Sequence, residues 1–375
     1  MEAVKEKAKK KSKGKTALKI ILCVIIVIAL AAVIFINVTT KPTYDTDENR
    51  YAVGGMVISD AIEYQDESGE GIKHNPIIRI MQMVWRFCAD GDAAKHAKQT
   101  PPTNLVKDVD IPYIDDGNIY HRLDVYYPSD RDDVRSLPII VDIHGGGWMY
   151  GDKNLNEYYC LELARRGYVV FNISYRLVPD VTVNEQIQDC LAAMRYINAT
   201  YTKYTDNADM LLTGDSAGGM LAAYTATVMQ SGDLQTTFNA PYEPNGIQPK
   251  ALLLTSPVAF MKDGGAFSVY TKILWGKDYK TKATYDYMDL SEIVDFAKLP
   301  PTYLITSGGD SLANEQTHRA YDLLTEKGVK CEIADFGDDE NGKPLPHVFS
   351  VLFPFDQSGD KAITDALAFF DEVCK

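Results

Sequence analysis

The sequence predicts an α/β fold built on a mostly parallel sheet, and three observations carry that expectation. From Val109 onward the chain breaks into short apolar, β-rich runs, several nearly continuous, as strands buried on both faces require. Helical patterns separate those runs, and strand–helix alternation yields parallel pairing through crossovers. With 375 residues and 46% hydrophobic content, the chain can bury a core large enough for such a sheet.

Taken from the start, Met1 to Lys19 carries eight Lys against two Glu, while the whole chain stands at −14, so the body is strongly acidic. An acidic body argues against a nucleic-acid partner. Ile20 to Ile36 is an unbroken apolar run. With residues 17–18 and 37–38 it reaches the roughly 30 Å of a bilayer core as a helix. A lysine-rich flank ahead of the run places that flank in the cytoplasm and the rest of the chain outside. Ala29-Leu30-Ala31 resembles a signal-peptidase site, whose use would give a secreted protein. The apolar run continues past it to Ile36, so an uncleaved signal anchor is expected.

Residues 39–71 are polar and form a tether, within which Val57 to Ile62 has the pattern of a short helix. Pro76 to Phe87 places apolar residues at helical spacing behind an early proline. That face suits a core, and its Met and Trp residues also suit a ligand. His121 to Tyr127 alternates as a half-buried strand does. The runs at 138–143, 168–173, 251–254, 302–305 and 330–334 predict further strands, and Asn184 to Asn198 a helix. Met261 to Leu299 is long, polar and rich in aromatic residues. It is predicted either to cover the end of the sheet as a lid or to pack as helices at its side. The cysteines, Cys23, Cys88, Cys160, Cys190, Cys331 and Cys374, lack metal spacing and are expected to be inert. Of the N-x-S/T triplets at Asn37, Asn172 and Asn198, the one at Asn172 falls in an expected strand.

Leu211 to Gly219 carries the chemistry. An apolar run ends in Gly214-Asp215-Ser216-Ala217-Gly218, and a helical pattern follows at once. Strand, sharp turn and helix form the context in which G-x-S-x-G is a nucleophile elbow. Earlier, the strand ending at Ile143 runs into His144-Gly145-Gly146-Gly147-Trp148. Successive glycines leave backbone N–H groups open to a developing oxyanion. Gly146 and Gly147, with Ala217, are therefore the expected oxyanion hole; His144 is expected to orient that loop and Asp215 to shape the elbow.

Ser216 needs a base. The partners in this arrangement follow in the order Ser, acid, His. Of the histidines, His318 and His347 follow Ser216; His318 sits in a helical stretch, whereas His347 lies in a loop after the last strand. His347 is the predicted base. Asp310 comes directly after the strand at 302–306 and is the predicted acid, ahead of Glu315 and Asp335. Its other reading is a helix N-cap.

His144 to Trp148, Tyr175-Arg176-Leu177-Val178-Pro179, Gly214 to Gly219 and Asp310-Ser311-Leu312 resemble the hormone-sensitive-lipase-like branch of the α/β-hydrolases. Val178 stands where that family has Ala. The resemblance covers residues 100–375 and implies an α/β-hydrolase fold with a helical cap built partly from N-terminal helices. The Lys-rich anchor lies outside the family pattern. The expected organisation is a cytoplasmic tail (1–16), a transmembrane anchor (17–38), tether and cap helices (39–100) and a catalytic domain (101–375) with a cap insertion at 261–299. The expected activity is that of a membrane-anchored serine esterase or lipase. Its triad is Ser216, Asp310 and His347, it uses no metal or cofactor, and it acts on a small-molecule or lipid ester. A peptidase or amidase, or a non-catalytic binding protein on the same fold, are the alternatives.

Overall fold

The computed structural model describes residues 19–35, 44–45, 50–51, 76–243, 245–262, 271–276 and 278–375. Eight strands make one sheet: β1 (Leu105–Pro112), β2 (Arg122–Pro128), β3 (Ile139–Ile143), β4 (Val169–Ile173), β5 (Met210–Asp215), β6 (Pro249–Thr255), β7 (Thr302–Ser307) and β8 (Cys331–Phe336). Their spatial order is β8-β7-β6-β5-β3-β4-β2-β1. The pairs β1–β2 and β2–β4 are antiparallel and all others parallel. Parallel strands end on one edge, so the loops after β3, β5, β7 and β8 gather there.

The helices are α1 (Pro76–His96), α2 (Glu157–Arg165), α3 (Val183–Thr200), α4 (Ala217–Gln230), α5 (Asn314–Glu326) and α6 (Gln357–Val373), with shorter turns between. Every residue of β3 is buried. Its side chains alternate between two cores: Ile139, Val141 and Ile143 join the cluster under α3, α4 and α5, while Ile140 joins the one under α2 and α6. A strand buried on both faces reads as a continuous apolar run, which is why the central strands were legible. Edge strand β1 was not: Lys107, Asp108 and Asp110 interrupt its pattern, as suits a half-exposed edge.

The helix expected at 76–87 extends to His96. Ala89, Asp92 and His96 prolong its buried face at helical spacing, and Ala89 packs with Tyr150 and Leu155. That tertiary contact outweighs the roughly 1 kcal/mol cost of Gly91 inside the helix. In the 261–299 stretch, Leu274, Trp275, Leu290 and Ile293 are buried in the core that also holds α3 and α4. Of the tether, Tyr44–Asp45 pairs with Arg50–Tyr51; the helix expected at 57–62 lies outside the described residues. Residues 19–35 are helical, and their large side chains, Ile20, Val27, Ile34 and Phe35 among them, are about half exposed or more. Among the described residues no helix is long and apolar enough to cross a membrane. Positions 17–18 and 36–38 of the expected span fall outside them.

A buried charge network ties β2 and β4 to α3. Arg176 clamps Asp189 through two hydrogen bonds of 2.8 and 2.7 Å, and His121 lies between Asp116 (2.7 Å) and Asp189 (3.3 Å). Burial pushes the His121 imidazole down, but the two carboxylates outweigh it and raise its pKa. A raised folded pKa means stability that is whole below the unfolded value and lost as pH climbs through the folded one. The gap in denaturation midpoint between the parent and His121→Gln should therefore be widest below the ordinary imidazole pKa of about 6.5 and narrow as pH rises above it. A constant gap in chemical denaturation would show that the imidazole does not titrate in this window.

Candidate active site

Ser216 sits between β5 and α4 at φ 51° and ψ −117°, a conformation a non-glycine residue occupies at a cost of about 1–3 kcal/mol. The turn is held from both sides: the Ser216 amide donates to the Thr255 carbonyl at 2.9 Å, and the Val258 amide donates to the Ser216 carbonyl at 3.1 Å. Gly218 is required sterically, because a Cβ there would meet the carbonyls of Ile143 and His144. The bend lifts the Ser216 hydroxyl to the carboxyl edge of the sheet.

His347 and Asp310 arrive at that edge on the loops after β8 and β7. His347 Nε2 is 2.9 Å from Ser216 Oγ, and His347 Nδ1 is 2.9 Å from Asp310 Oδ2. The His347 loop is pinned where the Ser307 hydroxyl donates to the Leu345 carbonyl at 2.8 Å. Asp310 is fully buried, and its second oxygen accepts the amides of Leu312 (3.0 Å) and Ala313 (2.9 Å). One Asp310 oxygen thus faces His347 and the other holds two backbone amides, while the N-cap position of α5 itself falls to Ala313 rather than to Asp310. Burial alone would push its carboxyl up, but hydrogen bonds from His347, Ser256 and the Ala313 amide hold it below the usual carboxylate range. Asp310 thus stays ionised beside the imidazole. The other candidates are elsewhere: His318 is on α5, half-exposed and paired with Asp335 at 2.8 Å, and Glu315 lies on the same helix.

The glycine loop is braced by side chains distant in sequence. The Gly145 amide donates to Asp215 Oδ1 at 2.9 Å, and the Tyr175 hydroxyl donates to the carbonyls of His144 (2.8 Å) and Gly145 (3.0 Å). His144 stacks on Tyr175 with centroids 4.3 Å apart, and its Nδ1 is 2.9 Å from the Gly145 carbonyl. Burial pushes that imidazole down to about 4, so it is neutral and holds the loop. Gly146 and Gly147 adopt φ +95° and +56° and line the same pocket as Ser216. Ala217 opens α4, so its N–H is a first-turn donor without an intrahelical acceptor.

Sequence reasoning missed Asn156. Its amide donates to Asp215 Oδ1 at 2.8 Å and to Asp142 Oδ2 at 2.9 Å, keeping two buried carboxyl groups in place behind the elbow. Burial pushes Asp215 up to about 6 against the pull of Asn156 and His347. Asn156 lies in the mostly polar stretch Asp152 to Asn156, which has the pattern of an ordinary loop, so only the folded arrangement reveals its place.

The pocket, about 480 Å³ including its mouth, is walled by Leu155, Leu312, Val351 and Leu352. From α1, Trp85 lies against Gly147 and stacks on Tyr150 with centroids 5.5 Å apart, while Asp92 accepts from the Tyr150 hydroxyl at 3.0 Å. The Trp of the 76–87 pattern thus faces the pocket. Among the described residues of 261–299, none lines it.

A family model described as BD-FAE matches residues 123–259. Esterase B from Lactobacillus rhamnosis, crystallised also with a tributyrin phosphonate inhibitor, is 31% identical with a TM-score of 0.74; the alignment covers 80% of this chain and 96% of that one. Esterase LipI of Mycobacterium tuberculosis is 27% identical over 216 residues, 56% of this chain and 66% of its own length. A probable isoprenylcysteine alpha-carbonyl methylesterase of Oryza sativa subsp. japonica is 27% identical over 223 residues, 57% of this chain and 52% of its own length. The chain therefore spans between about half and two thirds of these curated relatives.

Proposed function

The chain belongs to the α/β-hydrolase esterase family, and from that premise we propose that it is a serine carboxylic ester hydrolase acting through an acyl-enzyme. One observation carries the reading: His347 bridges Ser216 and Asp310 through two contacts of 2.9 Å. Ser216 Oγ attacks the ester carbonyl while its proton passes to His347 Nε2, and Asp310 stabilises the imidazolium. The N–H groups of Gly146, Gly147 and Ala217 stabilise the oxyanion, each worth on the order of 10²–10³ in rate. His347 returns the proton to the departing alkoxide, leaving Ser216 acylated. Water then attacks the acyl carbon as His347 takes its proton; the bond to Ser216 Oγ breaks, His347 returns the proton to that oxygen, and the carboxylic acid leaves. No step calls for a metal or cofactor.

The substrate class is a small-molecule ester with an aliphatic or otherwise apolar acyl part, as the pocket walls favour. Matched p-nitrophenyl butyrate and butyryl p-nitroanilide separate esterase from amidase. Ester turnover well above anilide turnover is expected, and the reverse order would favour the peptidase alternative. Absence of both activities, together with failure of the folded protein to react with a fluorophosphonate, would favour a binding protein.

The exposed apolar helix at 19–35, preceded by seven lysines and opening on an eighth, supports a single-pass anchor at 17–38 with residues 39–375 outside the cytoplasm. Residues 39–100 would then supply tether and cap, and 101–375 the catalytic domain with its insertion at 261–299. The full chain should sediment with membranes and resist carbonate extraction, while a chain starting at residue 39 should not. Carbonate release of the full chain would refute the anchor.

A further inference from the structure

One helix carries both a wall of the pocket and an unusual outer face. Trp85 and Asp92 of α1 line the pocket beside Ser216. Ile80, Val84 and Phe87 of the same helix are 47%, 47% and 55% exposed. Their i, i+4, i+7 spacing puts them on one stripe, where a surface helix ordinarily carries polar residues.

That stripe continues into the apolar helix at 19–35. The ring of Phe87 stacks on that of Phe35, with centroids 6.3 Å apart and planes 26° from parallel. Helix 19–35 is apolar all round, the pattern of a segment surrounded by lipid rather than lying on a protein. Phe35 marks its carboxyl end, so whatever surrounds the helix reaches α1 at Phe87. The exposed Leu312, which also lines the pocket, adds an apolar contact at the mouth.

We propose that the Ile80–Val84–Phe87 face of α1 lies on the outer surface of the bilayer that holds helix 19–35, and that the ester reaching Ser216 is a lipid-phase one drawn from that bilayer. The inference rests on the esterase and anchor readings and adds a route and a substrate class to them. Apolar groups at an interface bind in proportion to the area they bury. A pocket beside such a contact takes an acyl chain from the membrane without passing it through water.

The test uses the full chain reconstituted in phosphatidylcholine–phosphatidylglycerol vesicles, with p-nitrophenyl acetate in the water and dioctanoylglycerol in the vesicles. Combined Ile80→Gln, Val84→Gln and Phe87→Gln keeps good helix formers on α1. Turnover of the acetate should stay within about twofold while that of dioctanoylglycerol falls about tenfold or more, since three interfacial contacts are lost. The acetate serves as the control for folding and for an intact site. Unchanged dioctanoylglycerol turnover, or an equal fall on both substrates, would overturn the proposal. So would a parent protein that cleaves the acetate and not the lipid. A parent that cleaves neither removes the esterase reading itself, which is a different result from any of these.

Discussion

Ser216→Ala should lower kcat for p-nitrophenyl butyrate by on the order of 10⁴–10⁶ while leaving the denaturation midpoint at or above that of the parent. The hydroxyl supplies the nucleophile of the acylation step, and the oxyanion donors left behind retain a small part of the acceleration. Stability should not suffer, because the turn is fixed by backbone bonds from Thr255 and Val258 rather than by the side chain. Adding His347→Ala to Ser216→Ala should cost little more, since the two groups act as a unit. Turnover of the Ser216→Ala variant within tenfold of the parent would end the nucleophile assignment.

Asp310→Asn should lower kcat by about 10⁴ with a smaller change in KM. The reason lies in the two oxygens of Asp310. One accepts the amides of Leu312 and Ala313, and only the carbonyl oxygen of an asparagine can stay there. Its NH₂ group must then face His347 Nδ1 and donate to it, forcing the proton onto Nε2, the nitrogen that must accept from Ser216. The wrong tautomer is thereby imposed without moving an atom far. Activity should partly recover above the pH at which hydroxide can take over as base; a variant with parental kcat at neutral pH would remove Asp310 from the triad.

The parts of this site legible in sequence are those whose chemistry leaves a local mark. Gly-Asp-Ser-Ala-Gly must bracket a strained turn, and the glycines after His144 must expose their amides, so both motifs stand out before folding. His347 and Asp310 were reached through chain order and through strands that read as continuous apolar runs. The braces were not legible. Asn156, Tyr150 and Asp92 are ordinary polar residues in sequence, and their partners lie 14 to 59 positions away. The far end of α1 was hidden for a related reason. Gly91 marks a helix stop locally, and only packing of Ala89, Asp92 and His96 against the body overrides it. The hydrophobic pattern of 261–299 fitted two arrangements, and its described residues bury Leu274, Trp275, Leu290 and Ile293 with α3 and α4.

The glycine loop is gripped by Tyr175 from one strand end and by Asp215 from another, while His347 comes from a loop 131 positions after Ser216. No short segment of the polypeptide contains all of these, so a reactive serine needs strands and loops far apart in sequence to be assembled together. Covalent capture by an organophosphorus reagent would then count native molecules one by one. In a refolding time course, its stoichiometry should rise together with the last cooperative phase and with no earlier one.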